Sequence, residues 1–180
     1  MTDDQIARIA VLTRMAEKAR RGLGRTAVMK LAYFLETLRN VSLGYRFTLY
    51  SYGPFDQTVL EDIDLAKCLG ALRVTPVSYP SGVGYSISAG ERASQFTSSP
   101  FVREHETEIE WVLERFGEMT AAELELASTI VFTDRERGSV ALSKRELAQR
   151  VQDVKPHFPV DRILSKIEDF CEDELILSCA

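Results

Sequence analysis

Residues 26–39 restrict the possible folds of this chain more than any other segment does. Apolar side chains recur there at helical spacing, at Val28, Leu31 and Leu35, and further apolar side chains widen the surface beyond one stripe. A helix that is apolar over most of its circumference is usually buried on several sides. The segment is therefore predicted to be the central helix of a small domain, with Thr26 as its N-cap.

The segment that follows predicts a strand, a helix and a hairpin. Residues 46–52 alternate in polarity, as a strand with one wetter face does, and Gly53 and Pro54 end the alternation. Pro54 suits the first turn of the next helix, for which Gly70 is the natural stop. Two short apolar strands come next, with residues 79–82 as the turn between them.

A helix over residues 3–20 precedes the central helix. The resulting order of helix, helix, strand, helix and hairpin is that of a winged helix-turn-helix domain with a small β-hairpin wing. The predicted fold is therefore α+β and mainly α, with a winged-helix domain at residues 1–97 and a helical C-terminal half at residues 98–180. Whether residues 98–180 fold alone or belong to the same compact unit stays open.

Helix signals run through the second half. Capping boxes, in which Ser or Thr is followed three residues later by Glu, predict helix starts at Ser88, Thr120 and Ser143. A last helix is predicted at residues 160–172, and residues 133–142 are predicted to be a polar connection.

Composition is that of an ordinary globular protein, with 45% hydrophobic and 27% charged residues. No apolar run approaches the roughly 20 residues that a membrane helix needs. The first residues also lack the apolar core of a secretion signal. The sequence therefore predicts a cytoplasmic location and no membrane partner.

Cysteine and histidine are few and scattered. Cys68, Cys171 and Cys179 include no Cys-x-x-Cys pair, so neither a disulfide framework nor a metal site is predicted. Cys68 is expected to fill a small space in the core. His105 and His157 stand in no recognisable catalytic or metal-binding motif.

Known catalytic motifs are missing from the sequence. It has no glycine-rich phosphate loop and no Gly-x-Ser-x-Gly elbow. Its many glutamates give no sign of a pair held in unequal environments, which acid–base catalysis requires. The chain is therefore predicted not to be an enzyme and to need no cofactor.

Charge is unevenly distributed along the chain. The net charge of −5 divides into +3 for residues 1–90 and −8 for residues 91–180. Arg20, Arg21 and Arg25 are candidate nucleic-acid contacts. The preferred interpretation is that these arginines complement a helix dipole, since no aromatic residues are interleaved with them.

Acidic side chains form a second candidate surface. The third helix, which would normally enter the major groove, is expected to turn Glu61, Asp62 and Asp64 outward. Carboxylates facing phosphates are repelled by about 1 kcal/mol per close pair even in water, which argues against DNA readout by this helix. With Glu104 and Glu108 these residues are the candidate acidic protein-binding surface; a merely solvated helix face is the alternative for the glutamate-rich segment.

Three short segments carry a family resemblance. They are Met29-Lys-Leu-Ala-Tyr-Phe34, Tyr50-Ser-Tyr-Gly-Pro-Phe55 and Asp62-Ile-Asp-Leu65, and Val154-Lys-Pro-His-Phe158 adds a fourth. The chain thereby resembles the YwgA-like group of bacterial proteins and, more distantly, the Panacea antitoxin domain, also called SocA/GepA-like. In those proteins a Lys-Leu-x-Tyr helix precedes a Tyr-Gly-Pro turn at similar spacing.

The resemblance implies a non-catalytic bacterial domain. Panacea antitoxins neutralise varied toxins by direct contact, and some serve as proteolytic adaptors. The residues that match the family motif are Lys30, Tyr33, Tyr52, Gly53 and Pro54. A structural role is expected for them, with both tyrosines wedged between helix and strand and Gly53-Pro54 shaping the turn.

Two functions follow as hypotheses. The first is a winged-helix protein-interaction module, antitoxin-like or a regulator of a defence or stress system, with a toxin or regulatory protein as partner and a homodimer as a further option. The alternative is a DNA-binding transcriptional regulator of winged-helix type, which the acidic third helix disfavours.

Overall fold

A computed structural model describes residues 1–79, 82–138 and 140–179. Its fold is α+β and mainly helical, with a small antiparallel hairpin, as the sequence predicts. The chain forms two compact units. The first comprises Met1–Thr48 and Phe55–Ala121, and the second comprises Leu49–Pro54 and Ala122–Ala180. The boundary expected between residues 97 and 98 thus falls inside the first unit.

Most elements of the first unit are helices around a two-stranded sheet. The helices are α1 (Asp3–Lys18), α2 (Arg25–Arg39), α3 (Gln57–Cys68), α4 (Ala93–Thr97), α5 (Pro100–Glu104) and α6 (Glu106–Phe116). The sheet is formed by β3 (Leu72–Tyr79) and β4 (Gly82–Ala89). Two further strands, β1 (Thr48–Tyr50) and β2 (Gly53–Phe55), pair with each other, and all but their outermost residues, Thr48 and Phe55, belong to the second unit.

Two helices share the centre of the first unit. Every residue from Val28 to Leu35 of α2 is buried, which agrees with the predicted central helix. However, α1 packs against α2, α3, α4, α5, α6 and β4, so it is equally central. The predicted N-cap at Thr26 is wrong, because α2 begins one residue earlier with Gly24 as its cap.

The predicted hairpin is present as β3 and β4. The two strands pair antiparallel, with Leu72 opposite Ala89 and Val77 opposite Gly84. Leu23, which precedes α2, forms an antiparallel bridge to Ile87 of β4 and so adds a third short segment to the sheet. Pro80 and Ser81 of the predicted turn lie outside the described residues. The capping box predicted at Ser88 is wrong, because that residue belongs to β4.

The strand predicted at residues 46–52 is shorter and forms part of a hairpin. It ends at Tyr50, and Gly53 and Pro54 belong to the returning strand β2. The prediction that Pro54 opens the next helix is therefore wrong. That helix, α3, begins at Gln57, and its N-cap Asp56 accepts a 2.8 Å hydrogen bond from the Thr58 amide.

Three helices make up most of the second unit: α7 (Ala121–Glu136), α8 (Lys144–Val154) and α9 (Val160–Glu172). The last helix has the predicted bounds, and the capping box at Ser143 and Glu146 is formed in both directions. The polar connection predicted at 133–142 starts too early, because α7 continues to Glu136; Ser139 lies outside the described residues.

All three cysteines differ from expectation. Cys171 and Cys179 are joined by a disulfide, whereas the sequence predicted no disulfide framework. The spacing of eight residues gave no sign of this pair, because a turn after α9 brings the two together. Cys68 is exposed at the end of α3 rather than packed in the core.

Candidate functional site

The acidic residues of α3 divide between surface and core. Glu61 and Asp64 are exposed as predicted. Asp62 is only 1% exposed, so the prediction that it lies on the outer surface is wrong. Asp62 lies three residues after Val59 and next to Ile63, both buried, and therefore belongs to the inner face of the helix. Helical spacing alone could have revealed this.

Asp62 connects three parts of the first unit. Arg8 of α1 donates to Asp62 Oδ2 from Nε at 2.6 Å, and the Tyr45 hydroxyl donates to the same oxygen at 3.1 Å. Burial, together with the neighbouring Asp62 charge, raises the pKa of Tyr45. These contacts give Asp62 a structural role in the packing of α3 against α1.

The glutamates of α5 and α6 are also not a uniform surface. Glu104 is exposed, whereas Glu108 is half-buried. Between them, Glu106 accepts hydrogen bonds from Arg14 Nε at 3.0 and 3.1 Å and pairs with Lys18 Nζ at 2.7 Å. The hydrogen bonds from Arg14 lower the pKa of Glu106. This part of the acidic segment therefore holds α6 against α1.

Two of the three candidate DNA-contacting arginines already have partners within the protein. Arg25 Nη2 lies 3.0 Å from Asp64 Oδ1, and its guanidinium stacks 4.2 Å from the centre of the Tyr85 ring. Arg21 donates to the Glu118 carbonyl at 2.9 Å and has the Glu118 carboxylate 3.9 Å away. Arg20 is exposed. Phosphate binding by Arg21 or Arg25 would have to displace these existing partners.

A cleft of about 610 Å³ lies beside these arginines in the first unit. Arg21, Arg25, Tyr85 and Met119 are among its lining residues, together with the start of α2. Gly24 caps that helix without a side-chain hydrogen bond. The cleft is thus partly apolar, and its two arginine side chains are those already paired with Glu118 and Asp64.

The family-motif residues fall into two groups. Lys30 and Tyr33 are buried in α2, and the Tyr33 ring meets the Phe47 ring edge-on at 5.2 Å. Tyr52 was expected in a similar wedge, but its side chain is 71% exposed. Gly53 has a φ of +87°, which glycine adopts without steric cost.

Residues 50–53, named here the tyrosine turn, are anchored within the second unit by Lys155. This side chain is 2% exposed, donates to the Tyr50 carbonyl at 3.3 Å and also donates to the Ser51 carbonyl. It forms a 2.9 Å ion pair with Glu125 of α7, which is buried as well. The buried ammonium group of Lys155 therefore holds the turn in place.

The tyrosine turn also packs closely against α7. A β-carbon added at Gly53 would lie 3.0 Å from Ser128 Oγ and 3.1 Å from Thr129 Oγ1. The side chains of Tyr50, 65% exposed, and Tyr52 lie on the surface. The turn itself and Lys155 lie in the Tyr-Gly-Pro and Val-Lys-Pro-His-Phe segments. Sequence reasoning singled out both segments but did not place them together.

The described part of the chain also lacks the features of a metal site and of a membrane span. That part of the chain contains no group of three or more His, Cys, Asp or Glu side chains placed to hold a metal ion. Within residues 1–79, 82–138 and 140–179, no helix is both long enough and apolar enough to cross a membrane. The sequence matches no protein-family model and no curated protein.

Proposed function

We propose that this protein is a non-catalytic protein-interaction module whose principal contact is the tyrosine turn. The observation that carries the proposal is the exposure of Tyr50 and Tyr52 on a turn whose backbone is bound by Lys155. Tyrosine offers a large, stiff, amphipathic surface and is enriched among the residues that dominate binding energy at protein interfaces.

The anchoring of the turn supports this interpretation. Burying Lys155 and Glu125 costs desolvation free energy, and such a pair often stabilises a fold no more than apolar residues would. What the pair does provide is a fixed position for the turn, because the ammonium group binds two of its carbonyls. A surface held rigid before binding loses less entropy when a partner docks.

The winged-helix form of the first unit is part of the proposal. The order α1, α2, α3, β3, β4 supports it, and so does the bridge from Leu23 to Ile87, which adds a segment between α1 and α2 to the wing. The connection between α2 and α3 is longer than a helix-turn-helix turn, because it contains the β1–β2 hairpin.

The partner is proposed to be another protein. The resemblance to YwgA-like proteins and Panacea antitoxins supports a toxin or a regulatory protein of a defence or stress system. Two of the four segments of that resemblance, residues 50–55 and 154–158, meet at the tyrosine turn. A second copy of the chain is the other protein that this surface would accept.

A capture experiment tests the proposal. The full chain, immobilised through an affinity tag, is exposed to a nuclease-treated lysate of its source cells, and retained proteins are quantified against bare resin. We expect enrichment of at least one protein that survives nuclease treatment. Recovery of no protein above the background, or only of proteins lost with the nuclease, would contradict the proposal.

DNA binding is the second candidate, and the burial of Asp62 favours it. With that residue inside, α3 presents Glu61 and Asp64 rather than three carboxylates, and Asp64 is paired with Arg25. Titration of a labelled duplex at several salt concentrations tests this function. Tight binding that weakens steeply with salt would support the regulator, and absence of binding at low salt would exclude it.

A further inference from the structure

A short segment after α9, residues Leu175–Cys179 and named here the strap, is bound to a buried carboxylate. Asp134 of α7 is fully buried and accepts three hydrogen bonds from the strap. The donors are the Leu177 amide at 2.8 Å, the Ser178 amide at 3.0 Å and the Ser178 hydroxyl at 2.6 Å. Because a buried carboxylate needs such donors, the strap and Asp134 depend on each other.

Apolar contacts add to this attachment. Leu175 and Ile176 are buried, although the strap forms no helix or strand. Arg135, the neighbour of Asp134, lies within 3.4 Å of the Leu175 carbonyl and donates to it. The strap enters its path through Glu174, which has a φ of +55°, uncommon for a residue other than glycine.

The disulfide joins the strap to α9. Cys171 lies in the last turn of that helix and Cys179 at the far end of the strap. Leu177 and Ser178, the strap residues that bind Asp134, lie between the two cysteines in the sequence. Both cysteines are half-buried, so a small reductant can reach them. The bond therefore closes a short loop around the very segment that satisfies Asp134.

We propose that Cys171 and Cys179 form a reversible thiol–disulfide site that fastens the strap. A dithiol reductant opens it by exchange: one thiolate attacks a sulfur of the pair, a mixed disulfide forms, and the second thiol releases it. Two electrons and two protons pass to the cysteines, giving two thiols, while the dithiol becomes a cyclic disulfide. Oxidised glutathione reverses the reaction and leaves as two molecules of reduced glutathione.

Release of the strap changes the surface of the second unit. Asp134 loses its three strap donors and keeps the Arg137 guanidinium 3.6 Å away, and the side chains of Leu175 and Ile176 become accessible. Without the covalent link the strap has more conformations available when detached, so the reduced form favours detachment. This inference stands independently of the function proposed above, because neither Tyr50 nor Lys155 contributes to it.

Alkylation under native conditions tests the chemistry. The full chain, kept free of added thiols and disulfides, is treated with iodoacetamide and weighed by mass spectrometry, before and after a pulse of dithiothreitol. We expect one label before reduction, at exposed Cys68, and three afterwards. A Cys68→Ser variant should give none and two. Three labels before reduction would overturn the site.

Hydrogen exchange tests the fastening. We expect the Leu177 and Ser178 amides to exchange roughly 10- to 100-fold faster after reduction, as loss of a short covalent loop implies. The Cys171→Ser/Cys179→Ser variant should match the reduced protein in both conditions. Unchanged exchange on reduction, or an equal acceleration of the Val151 amide in α8, would overturn the proposal, because the disulfide would then have no local effect on the strap.

Discussion

Buried charged side chains determine much of this fold at the scale of single residues. Asp62, Glu125 and Asp134 are each nearly inaccessible, and each is bound by donors from another part of its own unit. An unpaired buried charge costs several kcal/mol, so an arrangement without these partners is strongly disfavoured. Each carboxylate therefore selects one packing among those that apolar contacts would allow.

Replacement of Asp62 tests this principle in the first unit. Asp62→Ala leaves the Arg8 guanidinium and the Tyr45 hydroxyl without their shared acceptor, so we expect a loss of about 3–5 kcal/mol in the free energy of unfolding. Urea denaturation followed by the fluorescence of Trp111, the single tryptophan of the chain, measures it.

Asp64→Ala on the same helix is the matched control. Its side chain is exposed and paired with Arg25, so we expect a change within about 0.5 kcal/mol. Equal effects of the two substitutions would show that Asp62 does not have the buried role described here.

Sequence patterns predict such residues only in part. Spacing with Val59 and Ile63 places Asp62 inside, but the sequence does not name Arg8 or Tyr45 as partners, because they are 54 and 17 residues away. Tyr52 and Cys68 show the opposite error. Their residue types suggested burial, whereas the turn and the helix end that carry them face solvent.

Elements are joined in this protein by charged contacts as well as by apolar packing. Glu106 of α6 is bound by Arg14 and Lys18, one turn apart on α1. Hydrogen bonds from Arg14 lower the pKa of Glu106 below its ordinary value of 4.5. A lowered native pKa means stability that is fully present above pH 4.5 and lost as pH falls through the native pKa.

Glu106→Gln should therefore destabilise the protein only when the carboxylate is charged. We expect a loss of about 1 kcal/mol at pH 7, since the network is partly exposed, and a smaller difference from the wild type as pH falls below 4.5. Urea midpoints at several pH values measure it. The exposed Glu104→Gln variant should stay within about 0.5 kcal/mol throughout. A loss that is the same at pH 7 and pH 3 would contradict the ion-pair explanation.

Replacement of Lys155 tests whether a buried charged contact holds the β1–β2 hairpin in the second unit. Lys155→Met removes the donor to the Tyr50 and Ser51 carbonyls and leaves Glu125 buried without its cation, so we expect a loss of about 3–5 kcal/mol. Hydrogen exchange of residues 49–54 should accelerate at least roughly tenfold.

Two variants separate this effect from a general one. The Lys155→Met/Glu125→Gln pair should recover part of the stability, because no unpaired charge remains. Lys166→Met, which breaks a partly exposed pair with Asp169 and a contact with the Phe170 ring, should cost under about 1 kcal/mol. Exchange at the hairpin that is unaffected by Lys155→Met would show that the lysine does not anchor it.

Helices with clear end signals in the sequence were predictable, whereas structure that depends on contacts between distant residues was not. Ser143 with Glu146 fixes the start of α8 locally, and the helix predicted at 160–172 has its observed bounds. The hairpin at 48–55 was missed because its turn is stabilised by Lys155, about a hundred residues later. Alternation of polarity along residues 46–52 carries no information about Lys155, so it cannot show that the strand ends at Tyr50.

The whole molecule distributes its charge differently from the two halves of its sequence. The first unit has 14 Lys and Arg against 15 Asp and Glu, and the second has 8 against 12. The glutamates of α6 belong to the first unit, where α1 supplies cations for two of them. The net negative charge of residues 91–180 is thus partly neutralised by residues of α1.

Retention of a partner by a chain altered only at the tyrosine turn tests the central claim most directly. Capture is repeated with Tyr50→Ser/Tyr52→Ser and with a control, Val83→Ser/Val140→Ser, which removes two apolar side chains of comparable exposure. We expect the tyrosine variant to retain at least roughly tenfold less of the partner, as loss of two interface tyrosines implies, and the control to stay within about twofold of the wild type. Equal retention by all three proteins would contradict the claim that the tyrosine turn is the contact.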